Sequence, residues 1–440
     1  MNTILLHPTD VLFFRDGRPM GGSLSGHAAA WPLPTVVNHA FHAALHWAGE
    51  VFKDAHPHRR GRSSARPENA ERDRKFGSLT TAGPFPVKSN GKGSTWFFPR
   101  PFDAGMPATA VVSLRPLKGF DAYSSSLRAP LAYPVANEHG PSKATPERWF
   151  SALAFQNYLG NNTTLDPHAD FIQDSTFADT EFTYGIGIDP ETDTQDGERF
   201  YTASYLRLRE DWRLGVLAAA RDKEFNDPNH GNDLVSALLN GKGAEIIAGG
   251  QQRVCRAVVD PHASSLPLPS GATITGTRIK WILLTPAIFP AINDHPGGWL
   301  PSWVDLSGNV QLLDGPGKNY ARRHKEVEGK RISAKLVAAI TGKPIPVTGY
   351  ALPHEAAERT DGGPKPTHLA VPAGAVYYFE AEGNDEAEKQ ANAQKLADAL
   401  NWHGSTTSTE IKNRRSTLMG EKGFGLGVCG TWDFHPATQS

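Results

Sequence analysis

The chain has 440 residues, of which 39% are hydrophobic, 21% charged and 9% aromatic. These proportions are typical of a globular protein and exclude disordered, collagen-like and membrane-embedded classes. Lysine and arginine number 45 against 46 aspartate and glutamate, so a formal charge of −1 gives no global attraction to nucleic acid or a membrane. Any polyanion site must therefore come from local basic patches. At about 150 residues per domain, we expect two or three domains.

Cysteine use and apolar runs indicate where the protein works. Cys255 and Cys429 lie far apart, without the spacing of a metal cluster or a disulfide framework, which favours a reducing compartment. No basic residue precedes Arg15, so no signal peptide is visible. The apolar stretches Trp281 to Asn293 and Leu369 to Phe379 are shorter than the ~18 residues of a membrane span. We therefore expect a cytoplasmic protein with no membrane partner.

The first half of the chain predicts strands joined by polar loops, with few helices. Alternation and turn residues indicate strands, and apolar spacing of three to four residues indicates helices. The predicted strands are Asn2 to Phe14, broken by Pro8, Ala108 to Leu117, and a hairpin of Phe182 to Ile188 with Arg199 to Leu208; the predicted helices are Val36 to Phe52 and Glu147 to Tyr158.

Two segments of the first half carry opposite charge. Lys53 to Lys75 has eight Lys or Arg residues against four Asp or Glu and almost no large apolar residues. This composition predicts a mobile basic loop. Asp166 to Glu198 contains ten acidic residues and no Lys or Arg, which predicts a separate acidic face.

A Pro- and Ser-rich stretch, Val258 to Ala272, predicts a boundary between domains 1–260 and 273–440. The predicted order after it is strand, long excursion, strand, helix, glycine-rich loop and strand. This order is typical of a ferredoxin-like unit with insertions, so we expect an α+β protein. The predicted elements are strands Thr273 to Leu284 and Ala375 to Glu380, a helix or turn at Ser333 to Ile340, a helix at Asp385 to Leu400, and extended chain at Gly423 to Trp432.

Gly425, Gly427 and Gly430 have the spacing of a dinucleotide-binding fingerprint. Only ten residues follow them, so no strand–helix–strand unit can form and we expect no dinucleotide cofactor. Glycines do let a ligand approach the backbone closely, with free N–H groups able to face a phosphate. A turn that serves only tight packing is the alternative.

His39, His42 and His46 follow one another at helical spacing and could share one face. A zinc site is conceivable, but a catalytic His-Glu-x-x-His motif would need glutamate where Ala43 stands, and no cysteine lies near. The sequence also lacks the nucleophile elbow of hydrolases and the phosphate loop of nucleoside triphosphatases. We expect no metal and no cofactor.

Three basic groups lie next to glycine-rich or turn segments at strand ends. Each alone is most simply a solvated face, but together they are consistent with a groove for an RNA backbone. Aromatic neighbours could stack on unpaired bases or pack in the core. The basic groups are Arg15 with Arg18, the run Lys318 to Arg331, and Lys412, Arg414, Arg415 and Lys422; the aromatic residues are Phe13, Phe14, Trp31 and Phe424.

Several short motifs, collinear along most of the chain, give it a family resemblance. The chain resembles Cmr subunit three of type III-B CRISPR effector complexes, in the Cas-five-like group of the RAMP superfamily. It departs from the family at Asn38 to His42, where a Gly-Ala pair followed by Arg is usual. The matching segments are Asp10 to Pro19, Gly249 to Arg253, Leu284 to Phe289 with Gly298 and Trp299, Ile340 to Pro344 with Gly349, Val371 to Phe379, and Gly423 to Gly425.

The resemblance implies two ferredoxin-like (RRM-like, RAMP) domains with long insertions and a non-catalytic role. Such a subunit would hold the 5′ tag of the CRISPR RNA beside the large polymerase-like subunit and the first backbone subunit. Lys330 and Arg331 join the expected RNA-binding residues because of the charge run and not because of a motif. The residues carried over from the family are Arg15, Arg18, Gly249, Gly250, Arg253, Gly423, Gly425 and Gly427.

Two other functions stay open at this point. One is a metal-independent endoribonuclease that processes CRISPR transcripts, with His7 and His39 as the histidines to test. The other is a scaffold that contacts only proteins through the acidic segment Asp166 to Glu198. Since the net charge is near zero, the isolated subunit is expected to bind RNA weakly, with an affinity that falls as salt rises.

Overall fold

The structure is a computed structural model with a mixed α/β fold, mostly antiparallel sheets and few helices. It describes residues 1–17, 24–25, 29–48, 79–105, 114–118, 127–137, 146–160, 165–220, 233–314, 331–351, 363–406 and 410–436.

Helices are short in these residues, except for the first and the last. They are α1 (Pro34–Trp47), α2 (Ala152–Tyr158), α3 (Asp174–Phe177), α4 (Leu234–Leu239) and α5 (Glu386–Leu400), with a 3₁₀ helix at Gly420–Lys422.

Strands dominate the same part of the chain. They are β1 (Asn2–Pro8), β2 (Leu24–Ser25), β3 (Thr80–Ser89), β4 (Ser94–Pro99), β5 (Leu114–Pro116), β6 (Val135–Asn137), β7 (Trp149–Ser151), β8 (Phe171–Ile172), β9 (Ala178–Ile188), β10 (Gln195–Leu208), β11 (Trp212–Ala219), β12 (Ala244–Ile247), β13 (Val254–Val259), β14 (Arg278–Leu283), β15 (Ala287–Ile288), β16 (Ala334–Ile340), β17 (Ile345–Val347), β18 (Tyr350–Ala351), β19 (Gly363–Pro364), β20 (His368–Val371), β21 (Val376–Ala381) and β22 (Gly427–Thr431).

The larger sheet is built from the first half of the chain. Its order is β12-β13-β1-β11-β3-β4-β7-β8, so the first strand lies near the middle and later strands add on both sides. Side chains alternate across β1, as expected for a strand covered on both faces. Ile4 and Leu6 pack against residues of α1 and α4, whereas Leu5 joins a second core on the other face.

The smaller main sheet is built from the second half, in the order β16-β21-β14-β22. Trp281 on β14 lies between Tyr377 on β21 and Cys429 on β22. It faces the core that α5 covers, while the neighbouring Ile282 faces the core shared with Leu5. The two sheets therefore pack face to face over one shared apolar layer.

A buried polar cluster lies within that layer. Asp103 is fully buried and accepts hydrogen bonds from Tyr158, 2.6 Å away, and from Tyr378, 3.2 Å away. Lys280 Nζ lies 2.9 Å from Asp103 Oδ2 and 4.0 Å from the centre of the Tyr158 ring. Because buried charges are costly unless they are paired, this cluster fixes how the two halves meet.

The segment that was predicted as a boundary, 258–272, is held by both halves. Asp260 accepts a hydrogen bond from Ser94 Oγ at 2.9 Å, and Pro269 O accepts one from the indole of Trp402 at 2.7 Å. Leu268 is buried in the shared core. The division into domains 1–260 and 273–440 stays a prediction.

Several sequence-based elements agree with the structure. The hairpin is present as β9 and β10, α1 begins at Pro34 and buries Val37, Phe41 and Leu45, and α5 begins after Asp385. The Asp385 carboxylate accepts the Glu388 N–H at 2.7 Å, which caps the helix.

Several elements differ from prediction, and one of them is the strand predicted from Thr273, which begins only at Arg278. Residues 334–340 form strand β16 and not a helix or turn, because they pair with β21 through the register Ala334 to Ala381. The predicted helix from Glu147 begins only at Ala152, since residues 149–151 pair as β7 with β4. The first strand ends at Pro8, where the sequence predicted a break, and does not resume as a strand before Phe14.

Candidate functional site

A cleft of about 520 Å³ lies where the first loop, α1 and the chain after β12 meet. One wall is the exposed face of α1, and the opposite wall is formed by residues that follow β1 and β12. The lining residues are Phe13, Phe14, Arg15, Val36, His39, Ala40, Ala43, Trp47, Ile247, Gly249, Gly250 and Gln252.

Glycine lets two walls of the cleft approach each other. Gly249 has a φ of +88°, and a Cβ there would lie 2.5 Å from the Phe13 carbonyl oxygen. The Gly250 N–H donates to that same oxygen at 2.9 Å. Arg15, Gly249 and Gly250, all expected to bind RNA, line this one cleft, but the Gly250 amide is already used within the protein and does not face a ligand.

The turn after the 3₁₀ helix reaches the same cleft from the second half of the chain. Gly423 has a φ of +98° and packs tightly, with a Cβ position 2.9 Å from Thr81 O and 3.4 Å from Pro34. Its neighbour Lys422 places Nζ 3.2 Å from His39 Nε2, on the α1 wall. The cleft is therefore bordered by residues separated by 383 positions in sequence.

Positive charge gathers around His39. Desolvation, followed by Lys422, Lys365 and His42, lowers the pKa of His39 from 6.5 to about 4. Desolvation and Lys365 also lower the pKa of Lys422, against the opposing effect of Glu421. At neutral pH the imidazole is therefore uncharged. The two lysines near it, Lys365 and Lys422, repel each other, and a bound anion would reduce this repulsion.

Arg253 lies beside the cleft and not in its lining. Its guanidinium stacks 5.0 Å from the Tyr205 ring and lies 3.7 Å from Asp10 Oδ2. Tyr205 in turn contacts Phe13, with ring centres 5.5 Å apart. A chain of contacts thus joins Arg253 to the cleft through two aromatic rings.

The glycine-rich loop does not offer the free amides that the sequence suggested. Gly425 is buried, has a φ of +75°, and donates its N–H to Pro286 O at 2.8 Å. The Gly423 N–H donates to Gly420 O at 3.0 Å, and Gly427 lies buried in β22 against the Trp281 indole. The expectation of a phosphate-facing backbone is wrong for Gly423 and Gly425, and tight packing explains all three glycines.

Most aromatic residues suggested for base stacking belong to the core. Phe424 is fully buried, Phe14 is nearly so, and the Trp31 indole donates to Pro84 O at 2.9 Å. The exposed aromatic side chain in the cleft lining is Trp47, at 69% exposure, which sequence reasoning missed. Trp47 is the last residue of α1, after the apolar pattern of Val37, Phe41 and Leu45, and this position could have indicated an exposed ring.

The other predicted basic residues contribute unequally to this region. Arg15 is exposed in the cleft lining, whereas Arg415 is turned inward, with its Nε donating to Ala399 O at 2.5 Å. The backbone of Arg331 forms an isolated antiparallel β-bridge with Leu313, and Arg331 does not line the cleft. Arg18, Lys330 and the basic loop 53–75 lie outside the described residues.

A family model of CRISPR-associated proteins, Cas_Cmr3, matches residues 4–432. The chain belongs to the Cas_Cmr3 family. This assignment bears out the resemblance to Cmr subunit three of type III-B effector complexes, and it covers the first loop, α1 and the 420–423 turn that border the cleft. The protein is thus a component of a type III CRISPR effector.

Solved structures similar to this Cas_Cmr3 chain include two from effector complexes. A chain in the cryo-EM structure of the Type III-B Cmr-beta bound to cognate target RNA is 13% identical, with 86% of each chain covered and a TM-score of 0.40. A chain in the crystal structure of the Csm3-Csm4 subcomplex of the type III-A CRISPR-Cas interference complex is 12% identical, with 88% of this chain and 96% of that chain covered and a TM-score of 0.37. Both TM-scores are below 0.5, so the family match carries the assignment. A search of curated proteins gave no match.

Neither a metal cluster nor a membrane helix is found in the described parts of this Cas_Cmr3 protein. There, no three His, Cys, Asp or Glu side chains come together in a way that could hold a metal ion, and the His39, His42 and His46 row does not form such a group. Likewise, none of the helices in those residues has the length and apolar character needed to cross a bilayer.

Proposed function

We propose that this Cas_Cmr3 family member is a non-catalytic, cytoplasmic subunit that binds the CRISPR RNA of a type III-B effector complex. In this proposal the cleft takes the 5′ tag of the guide RNA, next to the large polymerase-like subunit and the first backbone subunit. The observation that carries the proposal is the approach of Lys422 to His39 beside Arg15, which concentrates positive charge on a near-neutral protein.

Chemistry at the cleft supports a nucleic-acid strand over a small anion. Lys365, Lys422 and Arg15 supply charge for phosphates, and Trp47 supplies an exposed aromatic face for a base. Stacking of one base on an aromatic side chain contributes about 1 to 3 kcal/mol. Each phosphate that a lysine neutralises adds about 0.7 to the salt dependence of binding to single-stranded RNA.

Strand order supports the proposal of two ferredoxin-like units. In a ferredoxin-like unit, four antiparallel strands follow the pattern β-α-β-β-α-β. Four neighbouring strands of the larger sheet lie in the order β13-β1-β11-β3. Along the chain they follow one another as β1, β3, β11 and β13, with α1 after β1 and α4 after β11. The smaller sheet, read from its other edge, is β22-β14-β21-β16, and in both sheets the chain order of these strands is fourth, first, third, second. Helix α5 follows β21, the third strand along the chain, while a long excursion after β14 replaces the first helix.

The environment of the two candidate histidines supports a non-catalytic role. A general base works best with a pKa near the operating pH. Burial, Arg213 and Arg256 lower the pKa of His7 to about 4, and desolvation and the nearby lysines lower that of His39 to about 4. At neutral pH, imidazoles of that pKa are weak bases and hold almost no proton to donate.

Crosslinking inside the assembled complex tests the RNA-binding proposal. A photoreactive residue in place of Trp47 should form an adduct with the first nucleotides of the guide RNA, whereas one in place of exposed Lys92, on the β3–β4 turn, should not. Absence of an RNA adduct at Trp47 in an RNA-loaded complex would overturn the proposal. Incubating repeat RNA with the protein in EDTA tests catalysis, since cleavage that is lost in His39→Ala would favour the endoribonuclease.

A further inference from the structure

The outer strand of the hairpin carries a row of exposed apolar side chains. Phe182, Tyr184, Ile186 and Ile188 alternate along β9 and are between 50% and 69% exposed. Residues two apart on a strand face the same side, so these four form one apolar stripe about 20 Å long. Four large apolar side chains in one contiguous row are typical of an interaction surface.

The apolar stripe continues a buried cluster of the protein. At the base of the hairpin, Leu206 lies opposite Thr180 and Leu208 lies opposite Ala178, on the same face as the stripe. There, Leu206 and Leu208 pack against a core that contains Phe177. Toward the tip, the same face leaves the core and is exposed.

Strand β9 also has a free edge in the part of the chain that the structure describes. Its sheet has the order β2-β10-β9, so β9 pairs on one side only. An exposed edge strand presents unpaired backbone groups to which another strand can add. An edge of 11 residues with an apolar face is therefore suited to strand addition.

Charge around the stripe decides what kind of molecule fits it. Asp179 and Glu181 flank one end, and Asp189, Glu191 and Asp193 lie at the turn. No Lys or Arg occurs from 166 to 198, and on the pairing strand Arg199 follows Asp196 and Glu198, so acidic residues outnumber basic ones at the tip. Arg207 and Arg209 pair with the acids at the base, whereas those at the tip have no described ion pair. An acidic tip opposes RNA and anionic lipid, and it opposes pairing of β9 with a second copy of itself.

We propose that the apolar stripe and the free edge of β9 dock an extended, apolar segment of a neighbouring protein subunit, flanked by lysine or arginine. This inference rests on the proposed function only in that the chain works within a multi-subunit complex. The docked segment would add a strand beside β9, cover the four apolar side chains and place its basic residues near Glu191 and Asp193. The docking surface and the RNA cleft then use different residues, although Tyr205 of the same hairpin contacts Phe13 in the cleft lining.

The test uses the effector complex assembled from this chain, the guide RNA and the large and backbone subunits, purified through a tag on this chain. The variant is Phe182→Ser with Ile186→Ser, and the matched control removes exposed apolar side chains elsewhere, Leu153→Ser with Leu306→Ser. Subunit ratios and guide RNA per chain are measured in both, together with the melting temperature. We expect the β9 variant to lose one subunit by about tenfold or more, as when anchors of an interface are removed, with guide RNA in the cleft retained.

Each other outcome overturns the inference. Unchanged subunit ratios mean that the stripe is not a docking site, and loss of RNA with all subunits retained means that it contacts nucleic acid. A photoreactive residue at Ile188 separates the partners further, because the inference requires an adduct with an apolar peptide flanked by basic residues in one of those subunits. An adduct with RNA or with a second copy of this chain contradicts it. In the separate crosslinking experiment at Trp47, absence of an RNA adduct in a complex that retains all its subunits would count against the proposed function alone.

Discussion

Lys280 Nζ lies 2.9 Å from Asp103 Oδ2 in the layer between the two sheets, with 4% and 0% of these side chains exposed. The two residues come from the second and first halves of the chain, 177 positions apart. Tyr158 and Tyr378 donate to the same carboxylate, so each oxygen of Asp103 is occupied. The ion pair therefore joins the loop after β4, in the first half of the chain, to β14 in the second half.

Breaking this pair from one side should strongly destabilise the protein. Asp103→Asn leaves the Lys280 ammonium buried without its counter-charge, and removal of one partner of a buried pair costs about 3 to 5 kcal/mol. Asp103→Asn with Lys280→Met removes both charges, so its loss of unfolding free energy should be smaller than the sum of the two single losses. Denaturant unfolding of the four proteins measures this coupling, and strictly additive losses would contradict the role assigned to the pair.

Acid should weaken the fold through His7 and His39. Both have a pKa of about 4 in the folded protein against 6.5 for an ordinary histidine. Below pH 6.5 the unfolded chain therefore binds more protons, and stability falls as the pH drops from 6.5 toward 4. Replacing both by glutamine should flatten this decline, while His168→Gln, at an exposed turn, should not. Denaturant midpoints at pH 7, 5.5 and 4.5 make the comparison.

Local patterns were sufficient for some elements and failed where pairing decides the structure. The apolar spacing of Val37, Phe41 and Leu45 correctly predicted α1, and alternation correctly predicted the hairpin. Residues 334–340, in contrast, are rich in alanine and favour a helix by propensity. They form a strand because β21 pairs with them and buries Leu336 in the core of the second sheet. Tertiary pairing overrides propensity there.

The candidate site was only partly visible in the sequence for a similar reason. Arg15 and Gly249, both named as candidates from the family motifs, line the same cleft in the structure, where Gly249 packs against the Phe13 carbonyl oxygen. No motif could reveal that Lys422 approaches His39 across 383 positions. Nor could glycine spacing tell an amide facing a ligand from the Gly425 amide, which is bonded to Pro286 O. Both facts depend on long-range packing.

Substitution of Gly425 should affect stability and not RNA contact. Alanine there would adopt an unfavourable φ of +75° and meet the backbone of Ser416, so a loss of more than about 1 kcal/mol is expected. The matched control is Gly91→Ala, which also has a positive φ of +75° but has open space around its Cβ. Thermal unfolding should separate the two variants. At a temperature where both variants are folded, we expect them to bind RNA with equal affinity. A loss of RNA affinity in Gly425→Ala alone would mean that the Gly425 backbone contacts RNA.

The lysines beside His39 should set the salt dependence of guide RNA binding. Lys422→Gln and Lys365→Gln should each weaken binding and reduce the slope of log affinity against log salt by about 0.7, because one phosphate contact is lost. Lys92→Gln, on an exposed turn that does not line the cleft, should leave the slope unchanged. Filter binding over a salt series measures the slopes. Equal slopes for all three variants and the parent protein would remove these lysines from the RNA path.

Trp47 should contribute to RNA affinity through its exposed ring. It is 69% exposed in the cleft lining, so its replacement removes no buried contact that the fold needs. Trp47→Ala should therefore leave the melting temperature nearly unchanged while it weakens guide RNA binding by about 1 to 3 kcal/mol, the value of one stacked base. Trp47→Phe keeps an aromatic face and should retain most of the affinity. The same loss in both variants would mean that the indole donates a hydrogen bond instead of stacking, and no loss in either would place the RNA elsewhere.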